Sequence, residues 1–141
     1  MEVSMGRTKE FFIHMDLPTV TFQDKKLTVN KKTKKPIIYD SYELKKLKAD
    51  FRCSLIDHLP DEEFKGPVMV VTKWCYGIKG KHEDGEWKIT KPDVDNLNKT
   101  LLDAMTAVGF WKDDSRVARL ISEKFWAKVP GVYIYVSELE R

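Results

Sequence analysis

The sequence has few of the residues that mark several common protein classes. It contains only two cysteines, Cys53 and Cys75, and three histidines, without a CxxC pair or paired histidines. This excludes a disulfide-rich scaffold and gives no zinc-binding pattern, so both cysteines are expected to be reduced thiols. No apolar run approaches the roughly 20 residues of a membrane helix, and the polar segment 1–10 lacks the apolar stretch of a signal peptide. We therefore expect a cytoplasmic protein, with residues 1–8 disordered.

A phosphate-binding loop and a strong net charge are also missing. No glycine-rich loop supports a nucleotide hydrolase, and the formal net charge of +3 is too small to indicate nucleic-acid binding by itself. The charges are nevertheless separated: nine lysines stand against four acids between Asp24 and Asp50, whereas carboxylates gather between Asp93 and Asp114. That separation suits an enzyme that attracts a polyanion and holds a cation at its reaction site. The alternative for any one of these lysines is a solvated surface.

The order of apolar patterns predicts a single α+β domain over residues 1–141. A chain of 141 residues with 42% hydrophobic residues can fill one core. We expect a small mixed sheet with two helices packed mainly on one face and a C-terminal β-hairpin divided by Pro130-Gly131. The first helix is expected to begin at Asp40, which stands at capping-box spacing from Glu43. The predicted elements are strands at 10–16, 66–76, 117–129 and 132–139, a loop or irregular hairpin at 17–36, and helices at 40–59 and 95–108.

The stretch KPDVDNLNK, residues 91–99, carries the most informative spacing. Two residues of a helix that are two positions apart diverge by about 200°, so Asp93 and Asp95 could not hold one cation if both were helical. Pro92 disfavours a helical conformation at Lys91, so we expect an extended segment 91–94 with Asp95 at or near a helix N-terminus. Both carboxylates would then converge, and Lys99 would lie one helical turn beyond Asp95.

Structural roles could also explain part of this pattern. Asp95 is a good helix N-cap, and a pair of Asp95 with Lys99 often does no more than stabilise a surface helix. Neither role explains Asp93. The spacing alone therefore leaves open whether the segment is a metal site or a capped helix.

The run DVDNLNKTLLDAMTAVGFWKDDSRV resembles the signature of the RusA family of Holliday junction resolvases. That signature is D-x-D-N-L-x-K, a helix, then G-x-(F/W/Y)-x-D-D, and both halves match with their separation. The resemblance implies that Asp93, Asp95 and Asp114 bind the metal, that Lys99 is the catalytic lysine and that Asp113 is a supporting acid. Adjacent residues of an extended chain point to opposite sides, so only one of Asp113 and Asp114 should face the metal.

The resemblance implies a metal-dependent endodeoxyribonuclease that acts in DNA recombination and repair. Oxygen ligands of this kind suit Mg²⁺ or Mn²⁺, which would activate a water for phosphodiester hydrolysis. It also implies a homodimer, whose two-fold symmetry would match paired nicks in a four-way DNA junction. Candidate contacts to the DNA backbone are the lysines of the basic segment, namely Lys25, Lys26, Lys31, Lys32, Lys34 and Lys35.

Several alternatives stay open at this point. A helix over 95–108 is about 20 Å long and residues 109–114 can return at most about 20 Å, so one chain closes the site only barely. Either the helix is shorter or bent, or a second protomer completes the site. The same carboxylates would also serve a flap or fork nuclease, and a non-catalytic DNA-binding accessory protein is a further alternative.

Overall fold

A computed structural model describes residues 6–17 and 25–140 of the chain. It confirms the α+β class, with the elements β1 (Thr8–His14), β2 (Lys25–Val29), β3 (Pro36–Asp40), α1 (Tyr42–Ile56), β4 (Val68–Gly77), α2 (Val94–Val108), a 3₁₀ turn (Asp114–Arg116), β5 (Val117–Ala127) and β6 (Gly131–Glu138). Of the segment predicted to be disordered, residues 1–5 lie outside the described residues. The prediction does not hold for Arg7 and Thr8, because Thr8 begins β1 and Arg7 forms an ion pair with Glu138. Within the described ranges, no helix is long and apolar enough to cross a membrane.

The main sheet has four strands in the order β1-β6-β4-β5. β4 pairs antiparallel with β6 and parallel with β5, and β1 pairs antiparallel with β6. The last two strands run in opposite directions and follow each other through a short turn, which is the predicted hairpin-like arrangement. They do not pair with each other, however, because β4 lies between them. The strongly apolar β4 thereby has its backbone groups paired on both edges, as a buried strand requires.

The first helix begins one residue later than its sequence predicts. Ser41 is the N-cap, and its hydroxyl accepts a hydrogen bond from the Leu44 backbone N–H at 3.1 Å. Asp40 instead ends β3, and its carboxylate forms an ion pair with Lys48 at 2.6 Å. A serine satisfies one of the unpaired N–H groups of the first turn, so it displaces the aspartate as the cap.

The core lies between the sheet and the two helices. Alternate residues of β4 and β6 face it and are fully or almost fully buried, including Val70, Trp74 and Ile134. β4 therefore presents one alternating face to the core. The helices contribute Leu44, Leu47, Phe51 and Leu55 from α1 and Leu97, Leu101, Ala104 and Met105 from α2. Burial of one face of α2 leaves its opposite face to carry other groups.

A buried amide attaches α2 to the sheet. Asn98 is only 3% exposed, and its side-chain oxygen accepts hydrogen bonds from the Thr72 hydroxyl at 2.9 Å and the Trp74 indole N–H at 3.1 Å. Ser122 on β5 lies 3.4 Å from the same oxygen. One side chain thus joins α2 to two neighbouring strands and fixes the rotation of the helix over the sheet.

We expect Asn98→Ala to lower the free energy of unfolding by about 2–4 kcal/mol, because the Trp74 indole N–H would be buried without an acceptor and a cavity would remain. Urea denaturation followed by Trp fluorescence measures this change. Ala107→Gly, at an exposed position of the same helix, is the control and should cost about 1 kcal/mol from helix propensity alone. Equal losses for the two variants would contradict the role assigned to Asn98.

Candidate functional site

The N-terminus of α2 carries the first half of the sequence motif. Asp93, not Asp95, occupies the N-cap position, which corrects the cap suggested by the sequence. Its backbone is extended (φ −72°, ψ 145°), and its carboxylate makes no capping hydrogen bond within the described chain. Asp95 lies in the first turn and Lys99 one turn further, and all three side chains are exposed. Of the segment 91–94 that was predicted to be extended, only Asp93 is shown to be so: Lys91 and Pro92 lie in a bend and Val94 begins α2.

The second half of the motif returns from the other end of α2. α2 ends at Val108, as predicted, and Gly109 follows in the left-handed conformation (φ 108°) and donates to the carbonyl of Met105. Phe110 and Trp111 follow and are almost completely buried, and the Trp111 indole donates to the Thr106 hydroxyl at 2.7 Å. These anchors fix the loop that carries Asp113 and Asp114.

The two adjacent aspartates have different surroundings. Asp113 accepts a hydrogen bond from the Ser115 backbone N–H at 2.8 Å, which is the main reason that its pKa is lowered. Burial is the main reason that the pKa of Asp114 is raised, followed by a hydrogen bond with Asp113, while Lys99 acts in the opposite direction. The electrostatic neighbours of Asp114 include Lys99 and Asp103 on α2, so the loop within one chain brings Asp114 back to the middle of the helix.

Asp103 belongs to the same cluster of charged side chains as Lys99 and Asp114, and the sequence motif did not single it out. Lys99 donates to it at 3.3 Å across one helical turn. Asp95, Lys99 and Asp103 are spaced four residues apart, so they form one stripe about 12 Å long on α2. The spacing itself could have revealed the third member, because residues at i and i+4 lie on the same helical face.

The candidate metal ligands Asp93, Asp95 and Asp114 all offer carboxylate oxygens. Mg²⁺ and Mn²⁺ prefer oxygen ligands, so the chemistry of these three side chains fits a divalent cation. The three carboxylates are not assembled around one point: among residues 6–17 and 25–140, no three His, Cys, Asp or Glu side chains lie close enough to hold one metal ion. Within one chain, Asp114 lies within electrostatic range of Lys99 and Asp103, whereas Asp95 lies in the first turn of α2 and Asp93 at its N-cap.

Two lysines organise the segment that leads into Asp93. Lys124 on β5 donates to the carbonyl oxygens of Thr90 and Pro92, at 2.5 and 2.6 Å. Lys88 donates to the carbonyl of Lys91 at 2.5 Å and also binds both oxygens of Thr90. Sequence reasoning missed both residues, since nothing in the local pattern connects position 124 with position 92.

The basic segment forms a projecting hairpin. β2 and β3 pair with each other in a separate two-stranded sheet, and the turn between them is held by Asn30, whose side-chain oxygen accepts from the Lys32 and Thr33 N–H groups. Four of the predicted DNA-binding lysines lie exposed in this turn: Lys31, Lys32, Lys34 and Lys35. Lys25 and Lys26 lie on β2, and their side chains are outside the described part of the structure.

Comparison with known proteins assigns this arrangement to a family. The model of the family Endodeoxyribonuclease RusA matches residues 18–137, a range that contains the hairpin, both helices and every motif residue. The chain belongs to this family.

Two relatives of this RusA-family chain extend the comparison. A protein of Lactococcus phage r1t described as "Crossover junction endodeoxyribonuclease rusA" is 31% identical over 90 residues, which cover 62% of this chain and 69% of that protein. A protein of Bacillus subtilis (strain 168) described as "Uncharacterized protein YqaN" is 33% identical over 93 residues, covering 58% of this chain and 65% of that protein. Each alignment thus spans about two thirds of the relative.

Proposed function

We propose that this RusA-family chain is a metal-dependent endodeoxyribonuclease that resolves Holliday junctions by paired, symmetric hydrolysis of phosphodiester bonds. One observation carries the proposal: the acidic and basic side chains at the start of the family motif, Asp93, Asp95 and Lys99, face solvent, and the loop after α2 returns to that helix and brings Asp114 within electrostatic range of Lys99. A helix whose other face is fully buried holds this stripe in place. In this proposal, cleavage of such junctions serves DNA recombination and repair.

The chemistry follows from the side chains. Mg²⁺ or Mn²⁺ bound by Asp93, Asp95 and Asp114 would supply charge neutralisation at the phosphate and a more acidic attacking water. Lys99 would donate to the phosphate oxygens that gain charge in the transition state. In the free protein, Asp103 accepts a hydrogen bond from the Lys99 ammonium and keeps it on the stripe. Asp113 accepts a hydrogen bond from the Ser115 N–H and so fixes the backbone around Asp114. None of these steps needs a covalent nucleophile from the protein.

The hairpin is proposed to bind the DNA backbone. Four exposed lysines within a single turn give a compact positive charge, which attracts phosphates irrespective of base sequence. Lys34 has a positive φ of 58° and its N–H donates to the Asn30 carbonyl at 2.7 Å, so the turn that carries these lysines is tight.

A homodimer is part of the proposal because two opposed strands of a four-way junction must be cut. The hairpin offers an apolar surface for a second copy: Leu27 and Ile38 pair across its strands and are 67% and 70% exposed. Exposed apolar side chains next to each other commonly mark an interface. Two copies related by a two-fold axis would present two equivalent stripes to the junction.

The test is cleavage of a synthetic four-way junction beside a linear duplex and a flap, each in Mg²⁺, in Mn²⁺ and in EDTA. We expect paired symmetric nicks in the junction alone and complete loss of cleavage in EDTA. A junction that is bound but never cut under either cation would replace this proposal with a DNA-binding accessory role. Equal cleavage of flap or duplex would keep the nuclease and reject the junction specificity.

A further inference from the structure

Lys124 makes contacts that are unusual for a lysine on a sheet edge. Its ammonium group binds two backbone carbonyls, those of Thr90 and Pro92, which belong to a loop more than thirty residues away in sequence. It also interacts electrostatically with Asp93, which opposes the lowering of the Lys124 pKa by burial. A lysine ammonium has three donors, and these two carbonyls occupy two of them.

The rest of the loop is attached to the same strand. The backbone of Lys88 donates to the Lys124 carbonyl at 3.1 Å, and the Trp126 N–H donates to the Glu86 carbonyl at 2.8 Å. The Lys88 ammonium lies over the rings of Tyr76 and Trp126, 4.8 and 5.0 Å from their centroids, and the residue as a whole is 8% exposed. The path of residues 86–92 along β5 is therefore fixed by bonds to this strand, and Lys124 is the contact nearest to Asp93.

We propose that Lys124 is a positioning residue for Asp93: by binding the Thr90 and Pro92 carbonyls, it sets where the chain enters α2 and where the Asp93 carboxylate points. This inference rests on the proposed function, in which Asp93 is a metal ligand. The physical basis is that hydrogen bonds from a charged donor are roughly twice as strong as neutral ones. The Pro92 carbonyl belongs to the peptide unit that joins Pro92 to Asp93, so holding it restricts the backbone of Asp93 directly.

Three variants test this role. Lys124→Met removes the donors with little change in side-chain length, Lys124→Arg retains the charge and donors, and Lys128→Met is the matched control that removes an exposed lysine just beyond β5. Each is measured in three ways: ¹⁵N order parameters of the Asp93 and Val94 amides, Mn²⁺ affinity by electron paramagnetic resonance without DNA, and single-turnover junction cleavage.

For Lys124→Met we expect the order parameters at Asp93 and Val94 to fall from about 0.85 toward 0.6, with the rest of α2 unchanged. Mn²⁺ affinity and cleavage should fall about 10- to 100-fold, as for other groups that orient a metal ligand. Lys124→Arg should restore part of each value, and it keeps the comparison possible if Lys124→Met does not fold. Lys128→Met should match the wild type in all three measurements.

Unchanged order parameters at Asp93 in Lys124→Met would overturn the positioning role. A uniform loss of order along the whole chain would overturn it as well, because Lys124 would then support the fold in general. If the wild type neither binds Mn²⁺ nor cuts junctions, the proposed function fails instead, and the order parameters still decide whether Lys124 holds Asp93.

Discussion

Asp95→Asn is expected to reduce single-turnover cleavage of a four-way junction by about 10³-fold, equivalent to about 4 kcal/mol of transition-state stabilisation. The substitution keeps the size of the side chain and removes the charge that would bind the cation. Because Asp95 is exposed in the first turn of α2, the fold should be retained, with a loss of about 0.3–1 kcal/mol from the helix dipole. Junction affinity, measured in Ca²⁺ by fluorescence anisotropy, should change less than about threefold, since the proposed phosphate contacts lie elsewhere.

Glu43→Gln is the matched control for this prediction. Glu43 occupies the same first-turn position of α1 that Asp95 occupies in α2, so its loss removes the same helix-dipole interaction at a distance from the motif. This variant should lose a similar amount of stability and retain cleavage. Full cleavage by Asp95→Asn would refute the metal-binding assignment of this residue.

Asp114→Asn is expected to reduce junction cleavage about as strongly as Asp95→Asn does, and to make the folded protein more stable at neutral pH. Burial and the hydrogen bond with Asp113 raise the pKa of Asp114 above its ordinary value of 3.8, so its ionised form is less favourable in the folded chain than in the unfolded one. The free energy of unfolding that Asp114 supports is fully present below pH 3.8 and is lost as pH rises through the folded pKa. An asparagine stays neutral, so the variant should gain about 1–3 °C in Tm at pH 7 and nothing below the ordinary pKa.

The pKa of the neighbouring Asp113 is shifted in the opposite direction, so its substitution should have the opposite effect on stability. Its pKa is lowered, chiefly by the Ser115 backbone hydrogen bond, so its ionised form stabilises the folded chain above its ordinary pKa and this contribution is lost as pH falls through the lowered value. Asp113→Ala should therefore lower Tm at pH 7, with a smaller loss of cleavage than Asp114→Asn. A lower Tm for Asp114→Asn at pH 7 would show that Asp114 is a structural residue, and equal cleavage defects would remove the distinction between the two acids.

A role in cation binding would explain why Asp114 is an aspartate although its ionised form destabilises the folded chain. Asp114 lies near Asp113 and Asp103, and Lys99 is the cation that opposes the effect of these acids. A site that is to hold a divalent cation needs several negative charges close together, and their mutual repulsion is relieved only when the cation binds. A gain in stability at the expense of activity is the usual result of neutralising such a group.

Local chemistry in the sequence determined much of this protein. The extents of α2 and of β4 depend on neighbouring residues, and both were predicted to within two residues of the observed Val94–Val108 and Val68–Gly77. The placement of Asp95 and Lys99 on one exposed helical face follows from the same period. The errors at helix starts amount to one or two residues: Ser41 caps α1 in place of Asp40, and Asp93 occupies the N-cap position of α2 in place of Asp95 without a side-chain capping bond. Several polar residues near a helix start can each take this position.

Only the tertiary structure decided which distant residues meet. The placement of β4 between β5 and β6, the return of Asp114 to Lys99 and Asp103, and the contact of Lys124 with the carbonyl of Pro92 join residues far apart in sequence. Such contacts depend on how all the apolar faces pack together and on which backbone groups remain unpaired, and a periodic pattern carries no record of either. The sequence therefore determined the residues of the motif and the face on which they lie, whereas the fold decided which of them meet and which lysine holds Asp93 in its position.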